Sequence, residues 1–173
     1  MSLLVRSQMH YFLIGDRQVG KSTIINKTLE CLREKNPEIR IGGFFTKAEE
    51  SDVFMHYMTK HESFCIGKRK IGGYTDVFNS QGLELLKETE EKNCDLIVMD
   101  EIGWMESNAE AFALEILKVL DSDAQTIGVL RKDCSTPLID EIKNRADVML
   151  IEVTLENRDS LSLCSLMQTE KLV

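Results

Sequence analysis

Proline is nearly missing from this sequence, with only Pro37 and Pro137 among 173 residues. Low-complexity runs, charge blocks and internal repeats are also missing. Nothing therefore marks a linker, and residues 1–173 are expected to fold as a single domain, since domains commonly run to roughly 100–200 residues. Long hydrophobic runs are lacking too. No window approaches the ~18 apolar residues of a membrane span, and no secretory leader is visible, so no membrane association is expected. Met1-Ser2-Leu3 is set aside. Cysteine is sparse and unpatterned, at positions 31, 65, 94, 134 and 164. An odd count without Cys-x-x-Cys argues against a disulfide framework or a zinc site, and for free thiols in a reducing cytoplasm. His10, His56 and His61 do not cluster. Positive charge is the minority, 21 Lys and Arg against 29 Asp and Glu, for a net charge of -8. Nucleic acid is an unlikely partner for such a chain, because neutralising phosphates needs clustered cations. The one dense basic cluster, Lys68-Arg69-Lys70, reads as a solvated loop or turn.

What is present is an alternation of apolar runs and amphipathic stretches. Residues 10–14, 96–99, 126–130 and 148–153 read as buried strands, and 39–46 as a strand ending in glycines and phenylalanines. Residues 22–35, 80–92, 106–120 and 136–145 carry helical spacing, and a last helix is expected from about Asn157. In the 106–120 helix, Ala111, Leu114, Leu117, Val119 and Leu120 lie on or near one face. Short apolar strands separated by helices predict a parallel sheet covered on both faces. Residues 52–59 and 64–74 follow one another without a helix and predict an antiparallel insertion. The chemistry of such sheets lies at the carboxyl ends of the strands.

Two motifs stand at those ends. Residues 15–22 read GDRQVGKS, the pattern G-x-x-x-x-G-K-[ST], after an apolar strand and before an amphipathic helix. That context makes a phosphate-cradling loop of Gly15, Asp16, Arg17, Gln18, Val19, Gly20, Lys21, Ser22 and Thr23. The glycines free the backbone to aim its amides inward. Lys21 supplies a point charge for β- and γ-phosphates, the Ser22 hydroxyl is a magnesium ligand, and Thr23 reaches the α-phosphate. Residues 95–101 read DLIVMDE, an apolar strand ending in two adjacent carboxylates. Asp100 is expected to share a Mg²⁺ ion with Ser22, and Glu101 to orient or deprotonate the attacking water. Arg131, after the 126–130 strand, faces the same edge, where a cation can stabilise γ-phosphate charge. Asn157 and Arg158, after the last strand, are candidates for a base or ribose contact. Thr46 and Glu49 are candidates for a water-positioning or switch role.

In order along the chain, GDRQVGKST, IGGFFT (41–46), IGGYTDVF (71–78), DEIGWME (100–106) and IEVTLENRDSL (151–161) resemble the cancer-related, or thermophilic-type, nucleoside-triphosphatase family of P-loop NTPases. The phosphate loop is generic, whereas DEIGxME followed by VTxENRD is much more specific. The resemblance implies a RecA-like three-layer α/β sandwich and Mg²⁺-dependent hydrolysis of nucleoside triphosphates such as ATP or GTP, with broad base tolerance. Three departures bear on hydrolysis more than on nucleotide binding. Trp104 stands where the family often carries Lys. Leu130-Arg131 stands where His-Arg is usual. No Arg follows soon after Thr46. Two other functions share the loop. A nucleoside or nucleotide kinase would need an acceptor pocket and a mobile basic lid, for which Lys68-Arg69-Lys70 is a thin candidate. A non-hydrolytic nucleotide-binding module is the other. Guanine selectivity through Asn-Lys-x-Asp is not expected, since Asn26-Lys27-Thr28 lacks the Asp and Leu130-Arg131-Lys132-Asp133 lacks the Asn. No sequence feature specifies an oligomer.

Overall fold

The apolar alternation resolves into one eight-stranded sheet in the structure, a computed structural model that describes residues 8–171. Met1-Ser2-Leu3 lies outside the described residues. Strand β1 (His10–Ile14) leads through the glycine loop into α1 (Lys21–Lys35). Strands β2 (Ile41–Glu49), β3 (Asp52–Tyr57), β4 (Ser63–Lys68) and the short β5 (Gly72–Gly73) follow. A helical turn, α2 (Thr75–Val77), and a π-helical turn (Phe78–Gly82) lead into α3 (Leu83–Glu91). Then come β6 (Leu96–Ile102), α4 (Glu110–Leu120), β7 (Gln125–Leu130), α5 (Pro137–Asn144), β8 (Val148–Glu152) and α6 (Leu163–Lys171).

The strand order is β5-β4-β3-β2-β6-β7-β1-β8. Strands β2, β6, β7, β1 and β8 run parallel, while β3, β4 and β5 extend the sheet antiparallel from β2. This is the RecA-like three-layer arrangement with an antiparallel insertion. Alternate strand residues supply its two cores. Tyr11, Leu13, Leu96, Val98, Ile127 and Val129 pack with Ile24, Ile25 and Leu29 of α1 and Leu163 and Met167 of α6. Phe12, Ile97 and Met99 pack on the other face with Leu85 and Leu86 of α3, Phe112 and Ile116 of α4, and Ile139 and Ile142 of α5.

Several expectations need correction. Cys31 and Cys164 are not free thiols. They form a disulfide between α1 and α6, with Cα atoms 6.3 Å apart. A sequence separation of 133 conceals that proximity. Cys65, Cys94 and Cys134 are free. The final helix starts at Leu163 rather than Asn157. Asn157 is drawn into a turn instead, its Oδ1 accepting from Thr154 N at 2.8 Å and its Nδ2 donating to Glu152 O at 2.9 Å. Helix α4 starts at Glu110, not Glu106, and its buried face is Phe112, Ile116, Val119 and Leu120. Leu114 is 67% exposed. The i, i+4, i+7, i+8 stripe that meets the sheet fixes this phase. Strand β2 runs past Thr46 to Glu49, because pairing with β3 satisfies its backbone whatever side chains it carries.

Candidate nucleotide site

The parallel strands bring three segments to one edge of the sheet: the loop after β1, the acid pair closing β6, and Arg131 after β7. Strand β7 lies between β1 and β6, so Arg131 stands between the loop and the acids.

The loop is built by its backbone. Gly20 caps α1 with φ 109 and ψ 16, a left-handed conformation that suits glycine. With no side chain spent on the cap, the first amides of α1 remain aimed at the loop, where helix termini favour anions. Val19 is buried and anchors the turn, while Asp16, Arg17 and Gln18 are exposed. Lys21 is only 9% exposed, and its Nζ donates to Gly15 O at 2.8 Å and Asp16 O at 2.6 Å. Burial lowers the pKa of its ammonium, against the pull of Glu101, Asp100 and Asp16. Lys132, adjacent to Arg131, bridges Asp16 at 3.4 Å and Glu152 at 3.0 Å, tying the loop to β8.

Ser22 and Asp100, predicted from distant motifs, line the same cavity, close enough for the Ser22 hydroxyl to lower the Asp100 pKa. The Asp100 carboxyl is pushed up to about 6, chiefly by burial and further by Glu101, with Ser22 and Lys21 opposing. A hydroxyl and a half-buried carboxylate whose charge Ser22 and Lys21 compensate only in part form an oxygen donor set suited to a hard divalent cation such as Mg²⁺. Among the described residues no three His, Cys, Asp or Glu cluster to form an all-protein metal cage. Magnesium bound chiefly through phosphates and water needs only one or two protein ligands.

Glu101 sits beside this pair. The ladder with β7 skips it, pairing Asp100 with Val129 and Ile102 with Leu130. Arg131 Nη1 lies 3.7 Å from Glu101 Oε1. Thr46 Oγ1 accepts from the Glu101 backbone N at 3.4 Å, giving Thr46 a holding role, while Glu49 is turned outward to Lys47 at 3.7 Å. Arg158 approaches the loop, its Cδ 3.7 Å from where a Cβ on Gly20 would lie. The Asn157 amide is occupied in the turn described above. Glu106 went unassigned in the sequence. It is 6% exposed, accepts the Gly103 N–H, and its carboxyl is pushed up to about 7, mainly by burial. It thereby braces the turn that follows the acid pair. The only signal for it was its place in DEIGWME.

Comparison with known proteins fits this geometry. The model of the family described as NTPase matches residues 10–164. The nucleoside-triphosphatase THEP1 of Thermotoga maritima is 32% identical, over 88% of this chain and 91% of its own length. That of Methanosarcina barkeri is 30% identical, over 83% of this chain and 87% of its own. The crystal structure of THEP1 from Aquifex aeolicus superposes with a TM-score of 0.70 at 22% identity, over 86% of this chain and 92% of that one, and so shares the fold.

Proposed function

This chain belongs to the NTPase family, and from that membership we propose that it hydrolyses nucleoside triphosphates to diphosphate and phosphate with Mg²⁺. The observation that carries this reading is the meeting of Ser22 with Asp100 at the edge where Glu101 and Arg131 also stand.

The loop amides from Gly15 to Thr23 and the N-terminus of α1 bind the phosphate chain. Lys21 turns its ammonium from the loop carbonyls to the β- and γ-phosphates, and Thr23 takes the α-phosphate. Ser22 and Asp100 hold Mg²⁺, which when bound neutralises charge on the β- and γ-phosphates. Glu101 orients the water in line with the γ-phosphorus and accepts its proton. The water oxygen bonds to phosphorus as the bond to the β–γ bridging oxygen breaks, and the diphosphate leaves. Arg131 stabilises charge gathering on the transferring group. Thr46 and Glu106 keep the acid-bearing strand end in place. Arg158 supplies a contact at the nucleotide's outer end, with Asn157 shaping its turn; nothing in this set reads one base, so ATP and GTP both serve. The described residues contain no helix long and apolar enough to cross a membrane. Three free thiols suit a cytoplasmic setting, whereas the Cys31–Cys164 disulfide is of the kind an oxidising one favours.

The test is phosphate release from ATP, GTP, CTP and UTP, with Lys21→Ala as control. Release from all four that stops on chelating Mg²⁺ and in the variant supports the reading. An absence of release from every nucleotide overturns it.

A further inference from the structure

Hydrolysis needs room for one water beyond the γ-phosphate, about 30 Å³ of liquid volume. The cavity that opens from Ser22, Asp100, Glu101 and Arg131 measures about 410 Å³. It runs from the acid pair beneath the antiparallel insertion to the turn between β4 and β5. Its far end is lined by Arg69 and Lys70. Those two residues belong to the basic cluster that reads in the sequence as a solvated turn. Lys68 is paired with Asp52 at 3.9 Å, whereas among the described residues Arg69 and Lys70 form no ion pair. The turn is held in place by Arg69 N donating to Ser51 O at 2.8 Å. Phe112 packs against Phe44 and Phe78, with ring centroids 6.0 and 5.2 Å away, and these three rings, each 1% exposed, back one side of the cavity from the core. Trp104, where the resembled family often has Lys, stands on the lining as well. A cavity of this size, lined about equally by polar and apolar groups and with charged groups at its two ends, has the form of a small-molecule site.

We propose that this cavity is an acceptor site for phosphoryl transfer, taking a hydroxyl-bearing small molecule with a flat apolar body and a phosphate group, of the nucleoside monophosphate class. The proposal rests on the hydrolase reading of the acid pair. The acceptor's phosphate pairs with Arg69 and Lys70, its body lies against Trp104, and its hydroxyl points to Glu101. The hydroxyl oxygen takes the place of water and bonds to the γ-phosphorus. The bond from that phosphorus to the β–γ bridging oxygen breaks, the electron pair leaving with the diphosphate. The hydroxyl proton passes to the Glu101 carboxylate. Hydrolysis is then what the same site does with water.

The full-length chain is incubated with Mg²⁺ and γ-labelled ATP, alone and with each nucleoside 3′- or 5′-monophosphate as probe. The expected result is label on a hydroxyl of a probe, as a bisphosphate, with less free phosphate. The ratio of transferred to released label should fall about tenfold or more in R69A/K70A, since charged hydrogen bonds contribute about 1.5–3 kcal/mol each. R69K/K70R should restore much of it. Free phosphate alone with every probe, from a protein that hydrolyses ATP without them, overturns the proposal. So does label on a probe's phosphate, or a ratio indifferent to R69A/K70A. Failure to hydrolyse ATP at all overturns the parent reading instead, and this one with it.

Discussion

Arg131 and His10 show how differently a charged or chargeable side chain can be used. Arg131 reaches Glu101 across 3.7 Å at the open edge of the sheet. Replacing it with Ala should lower kcat about a hundredfold with little change in KM, because its charge matters as the transition state forms. Steady-state phosphate release checks this; a pure KM effect would assign Arg131 to ground-state binding. His10 is buried and neutral. Its Nδ1 accepts from Thr126 N at 3.1 Å and its Nε2 donates to Leu120 O at 2.9 Å. Burial lowers its pKa below 6.5, although Asp147 lies 4.0 Å away. A second proton on Nδ1 would face the Thr126 N–H. The unfolded chain therefore binds that proton more readily, and stability present above pH 6.5 is lost as pH falls below it. Between about pH 7.5 and about pH 5.5 the wild type should therefore lose stability relative to His10→Gln, read as the difference between their Tm profiles. Equal profiles would contradict this.

Among the elements, β2 and β6 carry the most consequence, because β6 delivers the acid pair and β2 presses on it. Gly43 of β2 has φ +93, and a Cβ there would meet the backbone of Val98, with N at 2.7 Å. Gly43→Ala should cost about 3 kcal/mol, or roughly 10 °C in Tm. Thermal melts measure it directly, and an unchanged Tm would show that β2 can shift freely. Sequence patterning could recover β1, β6 and β7 because each is a short apolar run that only a covered sheet accommodates, whereas β8, read in the same way as buried, is an edge strand with Met149 41% and Leu150 36% exposed. It could place the glycine loop after β1 and Asp100 near the end of β6 because each follows directly on an apolar run. The phase of α4 was hidden. Leu114 and Leu117 satisfy helical spacing as well as Phe112 and Ile116 do, and only the sheet decides between them. The role of Glu106 was hidden because a glutamate in an amphipathic stretch looks like a solvated one. The encounter of Arg131 with Glu101 depends on strand order, which no local pattern encodes.

At the scale of the whole molecule, the Cys31–Cys164 disulfide ties the first helix to the last across 133 residues. On loop-closure grounds it should contribute about 4–5 kcal/mol. Reductant or Cys31→Ser should therefore lower Tm clearly, and five titratable thiols in the denatured, unreduced chain would show that the bond does not form. The larger architectural fact is the common edge where three strands deliver the glycine loop, Asp100 with Glu101, and Arg131. On this account binding and bond cleavage are separable there: the loop with Ser22 and Asp100 holds the nucleotide, and Glu101 activates the nucleophile. The most direct test is Glu101→Gln, with Mg²⁺–ATP binding by calorimetry and phosphate release measured on the same sample. Binding close to wild type with turnover reduced by about 10²–10⁴ is the predicted outcome. Turnover near wild type, or loss of binding together with activity, would contradict it.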